Sequence, residues 1–518
     1  MFLNIGMVSA STLFRPFDHG DPTSLKLFYL FARGIVAIFG LATILMLFFL
    51  GRRVYSRSIG LLAAFFLAFT VLHVRDSHFF STDVPMTFFL VLILFLCSDI
   101  VDKKRLKSYF ITGIVTGIAI ATKQTVLLVI PVIFAAHLMS IWEGMGNSFS
   151  ERWQILRSKQ SLKKLVAGFG VATLVFLIAH PYVVMNPAAF LDMSGRTFEI
   201  LKGATPPQWS FQFTGATVGY WFSNLFFYSM GPTLEILCLL GLLWAFLKRK
   251  WKNDGLILLF MAIYFFSLGF GYMKFIRYAI PLLPFLCLLG ARLAMDLYEM
   301  AKTRIHRVIV TVGITVVASL SMFYTLAYLN IYKQDDVRIQ ASRWIHKNIP
   351  QGSTVVFNIS YATPLFGEMF FHPQFYDSYT VGYGQDYFVK NDFYTLKALN
   401  FFTYASDSLN PPDKFRKYIR ERLADADYIV MSDEQSEQFP FRAREYPAVV
   451  QFFRRLYAEK LGFSLVNTFS VRPSFLGKTV NDDRSELSFR LFDHPKIRVF
   501  KRTIPKKFEL SIPSSQTF

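Results

Sequence analysis

ARGIVAIFGLATILMLFFLGRRVYSRSIGLLAAFFLAFTVLHVRDSHFFSTDVPMTFF, residues 32–89, decides the architecture of this chain. An apolar run long enough to cross hydrocarbon ends on Arg52, Arg53 and Arg57, and a second run begins at once. A spanning helix needs about 20 predominantly apolar residues. The second run, 59–100, is too long for one span, and the polar stretch His73–Asp83 divides it into two. Apolar segments separated by short basic turns describe a polytopic membrane protein.

The rest of the sequence agrees. Of 518 residues 53% are hydrophobic and only 17% charged, where a soluble domain carries about 25% charge. Long apolar runs fill 29–329, and the residues beyond 329 read as an ordinary α/β domain. The net charge of +20 does not point to nucleic acid, because the basic residues near the apolar runs sit in the short loops between them, where the positive-inside bias places them. Cys97, Cys238 and Cys287 all fall in apolar runs, so neither a disulfide framework nor a zinc motif is expected. No cofactor motif and no metal-ligand cluster stands out.

Five basic clusters set the topology: Arg52–Arg57, Lys103–Lys107, Arg152–Lys164, Lys248–Lys252 and Lys302–Arg307. If all lie in the cytoplasm, an even number of spans separates each consecutive pair. The run 109–140 then splits at Lys123–Gln124, and 165–252 holds two spans. The expected fold is mainly α: a bundle of about ten spans over 29–330, with an extracytoplasmic α/β domain over 331–518. Parity also puts residues 1–28 outside with nothing visible to export them. They are expected to be the remnant of a first outer loop, with 1–14 as a surface helix and an upstream span absent from this sequence. The segment 145–164 is expected to lie on the inner lipid surface as a basic amphipathic helix.

With this topology several polar residues converge on the outer side. They are Arg33, Asp83, Lys123, His180, Tyr182, Asn186, Lys274 and Arg277. Ionisable groups at membrane depth are costly and mark functional cavities by default. For each there is a plainer alternative. Thr82–Asp83–Val84–Pro85 fits a helix cap with proline in the first turn, Lys274 fits an interfacial anchor, and His180 before proline fits a helix end. Lys123, between two spans too short to cross fully, fits a water-lined break. Cations beside a carboxylate suit a lipid-linked phosphate: the cations hold the charge that develops as phosphate leaves, and the carboxylate works on an attacking hydroxyl.

These segments resemble the phospholipid-carrier-dependent glycosyltransferases, the GT-C group that includes protein O-mannosyltransferases and aminoarabinose transferases of lipid A. The opening stretch carries the resemblance, followed in order by GIAIATKQTVLLVIP (117–131), AHPYVVMNP (179–187), KFIRYAIPLLPFLCLLGA (274–291), DVRIQASRWIHKNIPQGSTV (336–355) and SELSFRLFDHPKIRVFKR (485–502). The resemblance implies an inverting membrane enzyme that moves a sugar from a polyprenyl-phosphate donor to a protein, lipid or glycan acceptor. It implies that Asp83 positions donor or acceptor, and that Lys123 and Arg277 with Tyr278 face the carrier phosphate, with Lys274 and Arg33 nearby. His180, Tyr182 and Asn186 would support the outer face. It further implies a general-base carboxylate in the first outer loop, expected upstream of Met1; Asp18 and Asp21 read as turn residues. Two rivals remain. A flippase or transporter of lipid-linked sugars would show an internal repeat, and none is visible; a non-catalytic relative would keep the fold without the base.

In the C-terminal part TVVF and YIVM read as buried strands, 341–350 as a helix, and FRLFDHPKIRVFKR as two short strands around a turn holding His494.

Overall fold

The structure, a computed structural model, describes residues 22–142, 155–202, 217–248, 251–271, 274–358, 394–399, 401, 412–444 and 446–505. The expectations for 1–14, Asp18 and Asp21, and for the first half of the amphipathic segment 145–164, lie outside these residues; from Lys159 onward that segment begins a helix long enough to span. The chain divides into two compact units: Leu27–Thr205 with Ala216–Leu326, and a second built on Ala327–Phe518.

The first unit is helical throughout, as lipid requires: without water, each backbone N–H and C=O needs a partner within its own segment. Its helices are α1 (Pro22–Val54), α2 (Arg57–Ala68), α3 (Val71–Asp76), α4 (Asp83–Lys103), α5 (Leu106–Thr122), α6 (Ile130–Trp142), α7 (Lys159–Ala179), α8 (Tyr182–Met185), α9 (Pro187–Lys202), α10 (Phe227–Met230), α11 (Pro232–Lys248), α12 (Trp251–Gly269), α13 (Leu283–Met300) and α14 (Arg304–Leu329). Among the described residues six helices are long and apolar enough to cross a membrane, or seven if the bent pair Trp221–Met230 and Pro232–Lys248 is one span. Arg57–Ala68, Leu106–Thr122 and Asp254–Gly269 are apolar but shorter. The expected ten spans are reached only if these three also cross.

The helices break where the polar residues interrupt the apolar pattern. The run 59–100 becomes α2, α3 and α4, and the run 109–140 becomes α5, a 3-10 turn at Gln124–Val129, and α6. At the 118° bend between α10 and α11, Gly231 has φ +80, and a side chain there would meet the Tyr324 ring at 3.1 Å. Both backbone and space call for glycine.

One end of the bundle is held by a buried polar network. Asp254, at the start of α12, accepts from the Tyr55 hydroxyl at 2.6 Å and pairs with Arg292 of α13. Arg292 also reaches Asp296 at 3.6 Å, and the Trp244 indole of α11 donates to Asp296 at 2.8 Å. The Arg292 guanidinium lies 5.1 Å from the centre of the Tyr55 ring. Arg292 and Asp254 each expose 1% of their side chains. Nearby along α1 and α4, Arg53 pairs with Asp99 and Asp102.

The second unit centres on a five-stranded sheet ordered β2-β1-β3-β7-β4. Its strands are β1 (Thr354–Asn358), β2 (Thr395–Leu399), β3 (Tyr428–Ser432), β4 (Phe463–Phe469) and β7 (Ile497–Arg502), with β5 (Ser474–Phe475) and β6 (Lys478–Thr479) as a separate hairpin. Strands β2, β1 and β3 run parallel, and β7 is antiparallel to β3 and β4. Val356, Ile429 and Phe500 bring three neighbouring strands into one core with Phe401, Phe453 and Leu456. The expected strands at TVVF and YIVM are β1 and β3. The first of the two strands expected in FRLFDHPKIRVFKR is instead a helix, Leu487–Leu491, because the Glu486 carboxylate accepts from the Ser488 N–H at 2.8 Å and caps it. His494 is buried, with Nε2 2.7 Å from Asp482 Oδ2, beside Tyr328 and Tyr332, whose hydroxyls donate to Asp493. This is a structural turn.

The buried network gives a stability test. Arg292→Met strands Asp254 without a cation and is expected to cost about 3–5 kcal/mol. Adding Asp254→Leu should recover most of it, read by thermal unfolding of the detergent-solubilised chain. A single variant that melts with the wild type would remove the network from the account of stability.

Candidate functional site

Asp83 opens α4, and the alternative that it merely caps the helix does not hold. Thr82 is the cap residue and makes no side-chain cap bond. The Asp83 carboxylate instead meets the Lys123 ammonium at 2.5 Å across 40 residues of sequence. Lys123 sits between α5 and the 3-10 turn that succeeds it, in an extended conformation, φ −158. Leaving helical geometry there projects its side chain toward the start of α4. The Asp83 side chain is 6% exposed and that of Lys123 26%, so the pair is sheltered but open on the lysine side. A second bond from the same break, Thr125 Oγ1 to Met86 Sδ at 3.0 Å, keeps it against α4.

The 3-10 turn Ile276–Leu282 packs on α4 and carries Arg277 and Tyr278. Arg277 is exposed, its guanidinium 4.8 Å from the centre of the Phe275 ring. Tyr264 of α12, fully enclosed, lies within electrostatic range of both Asp83 and Tyr278. Lys274 is 3% exposed. Its ammonium donates to the Gly271 carbonyl at 2.8 Å and has no carboxylate partner among the described residues. Burial pushes this ammonium below the usual lysine range. Among the described residues this cation faces a carbonyl dipole and no anion.

Arg33 lies on α1 between Phe28, whose ring meets Phe80 edge-on at 6.0 Å, and Gly40, whose carbonyl contacts His73 at 3.2 Å. This places it along the segment leading to Asp83. The trio His180, Tyr182 and Asn186 lies at the joints between α7, α8 and α9. His180 ends α7 between the rings of Phe176 and Phe190, and Asn186 caps α9 by accepting from the Ala189 N–H at 3.1 Å. Both have structural duties.

Three features went unnoticed in the sequence. Gln124 donates to Ser194 of α9 at 3.2 Å, docking that helix beside Lys123; its place in the helix break was the available signal. Tyr264 sits in an apolar run with nothing to mark it. Arg75 and Asp76 form a buried pair at 3.0 Å within α3, inside the polar interruption but not singled out from it. No group of three or more potential metal ligands occurs among the described residues.

Residues 30–159, which hold both Asp83 and Lys123, match the family model of dolichyl-phosphate-mannose-protein mannosyltransferases. Comparison with curated proteins finds no match. Among solved structures, an oligosaccharyltransferase of Archaeoglobus fulgidus tethered with an acceptor peptide is similar at 14% identity and TM-score 0.46, over 94% of this chain and 66% of that one. ArnT from Cupriavidus metallidurans in the apo state is similar at 13% identity and TM-score 0.42, over 90% of this chain and 83% of that one. The form bound to undecaprenyl phosphate gives 12% identity and TM-score 0.38, over 94% and 85%. The chain thus spans about two thirds of the length of the archaeal protein.

A double-mutant cycle on Asp83→Asn and Lys123→Met tests the ion pair. A coupling of about 1–3 kcal/mol is expected in detergent unfolding, each single variant losing more than the pair together. Additive losses would mean the two side chains do not support each other.

Proposed function

We propose that this chain is a membrane glycosyltransferase that moves a sugar from a polyprenyl-phosphate-linked donor to an acceptor hydroxyl on the extracytoplasmic side, with inversion at the sugar carbon. The observation that carries the reading is Lys274, a buried ammonium without a carboxylate partner among the described residues, in the loop leading to Arg277 and to the turn that packs on α4. The family match over 30–159 supports the donor class.

In the reaction the acceptor oxygen attacks the anomeric carbon while the bond from that carbon to the phosphate oxygen breaks. Negative charge grows on the departing phosphate. Lys274 and Arg277 meet it, with Arg33 on α1 and Tyr278 as a hydroxyl donor; fixed cations in a dry site stabilise such charge strongly. Asp83, held by Lys123, orients the sugar or the acceptor hydroxyl. The acceptor proton passes to a carboxylate base. The acceptor itself is a protein, lipid or glycan hydroxyl, and the C-terminal unit is suited to guiding it.

Release of free polyprenyl phosphate from a lipid-linked sugar, with native membranes supplying acceptor, measures the reaction. Lys274→Ala is expected to raise KM for the donor about 10- to 100-fold, the loss of a charge-assisted contact, and Lys123→Ala to abolish transfer while membrane insertion persists. Near-normal release from both variants would sink the proposal.

A further inference from the structure

We propose that Tyr264 and Trp221 form the subsite for the sugar of the lipid-linked donor, beside the Ile276–Leu282 turn. The inference rests on the transferase reading and gives a task to two residues that the reading leaves unused. Three elements carry the residues already placed at the site: α4 with Asp83, the Gln124–Val129 turn that follows Lys123, and the Ile276–Leu282 turn with Arg277 and Tyr278. Helix α12 packs against all three.

Its stretch 258–266, LLFMAIYFF, is apolar except for the hydroxyl of Tyr264. Tyr264 is 2% exposed and packs on the Phe260 ring at 5.7 Å, a place that another phenylalanine would fill as well. Its hydroxyl makes no hydrogen bond among the described residues, although a tyrosine so enclosed usually finds a partner. What it does face is the site, since both Asp83 and Tyr278 are within electrostatic range.

A second donor meets the same turn from another element. The π-helical turn Trp221–Phe226 packs on Ile276–Leu282, and π turns recur at functional sites. Trp221 is 0% exposed, and its indole N–H is buried without a hydrogen-bond partner. Its ring lies 5.6 Å from that of Phe226 and 5.4 Å from that of Phe265, the residue after Tyr264. These rings cover Trp221, so a sugar that engages the N–H moves the π turn. Enclosed donors without partners are a cost to the fold, and here two of them border one turn. The cations of this region suit a phosphate. An uncharged O–H and N–H suit the hydroxyl and ring oxygens of a sugar, which accept hydrogen bonds without carrying charge. Aromatic walls with a few placed polar groups are the usual lining of such a pocket.

The test measures binding of undecaprenyl-phosphate mannose, which carries the sugar named for the matched family, and of undecaprenyl phosphate to the full chain in detergent. Release of the second lipid from the first is followed in parallel. Tyr264→Phe and Trp221→Phe each keep a ring and remove one donor. Each is expected to weaken binding of the mannosylated lipid about 3- to 10-fold, the loss of one neutral hydrogen bond, and to leave binding of undecaprenyl phosphate unchanged. Tyr264→Phe should also melt no lower than wild type, because the group removed had no partner; Trp221→Phe opens space, so its readout is the selectivity between the two lipids. Weakening of both lipids alike, or of neither, overturns the subsite. So does a Tyr264→Phe variant that melts lower and keeps its affinity for the sugar. A wild type that releases no undecaprenyl phosphate sinks the transferase reading and the subsite with it, whereas release by wild type with unaltered affinity in both variants sinks the subsite alone.

Discussion

An ammonium and a carboxylate that leave water together must find each other, and the Asp83–Lys123 contact is where this chain obeys that constraint. The two residues come from different helix ends. Their pairing fixes the start of α4 to the break between α5 and α6, and the Met86–Thr125 contact holds the same junction. Gln124 then ties α9 to it, and Tyr264 and the 276–282 turn close on it from α12. Remove the pair and each of these elements loses its reason for meeting there.

The far end of α4 obeys a different rule. Arg292, Asp254, Asp296, Tyr55 and Trp244 pair with one another, although Asp254 Oδ2 and Arg292 Nη2 stay buried without a hydrogen-bond partner. At the Asp83 end, among the described residues, Lys274 is enclosed with the Gly271 carbonyl as its hydrogen-bond partner, and Arg277 is exposed. The helices are thus anchored by an ion-pair network at one end and carry the Asp83–Lys123 pair with the enclosed Lys274 at the other.

The bundle and the ion-pair residues were legible because charge inside an apolar run is a strong signal. Asp83, Lys123 and Lys274 declare themselves by where they stand. Partnership was not legible. Nothing in the spacing of 40 residues says that Asp83 meets Lys123, and Tyr264 belongs to an apolar run like any other tyrosine. Arg292 was hidden differently, since a charge near the end of a span reads as a boundary marker, and only its pairing with Asp254 makes it a core residue. In the second unit β1 and β3 were readable from their uninterrupted apolar stretches, which parallel, doubly covered strands require. Leu487–Leu491 was not, because five residues are too few for periodicity to separate helix from strand and the deciding contact is the Glu486 cap.

The burial of Lys274 also bears on how a phosphate is held. An exposed lysine must shed its hydration when an anion arrives, and that loss offsets most of the attraction, which is why surface pairs contribute so little. For Lys274 the desolvation is incurred on folding, borne by the bundle's packing. On the proposed function, a phosphate reaching it would meet a cation already stripped of water, so more of the Coulombic attraction would remain as binding energy, and it would grow further as charge develops on the leaving oxygen. On the same proposal Arg277, exposed at the end of a long stem, would suit the complementary task of capture, because it would reach the phosphate while both are still hydrated. A buried cation for the charge that develops and an exposed one for first contact is a division of labour that two equivalent surface residues could not provide.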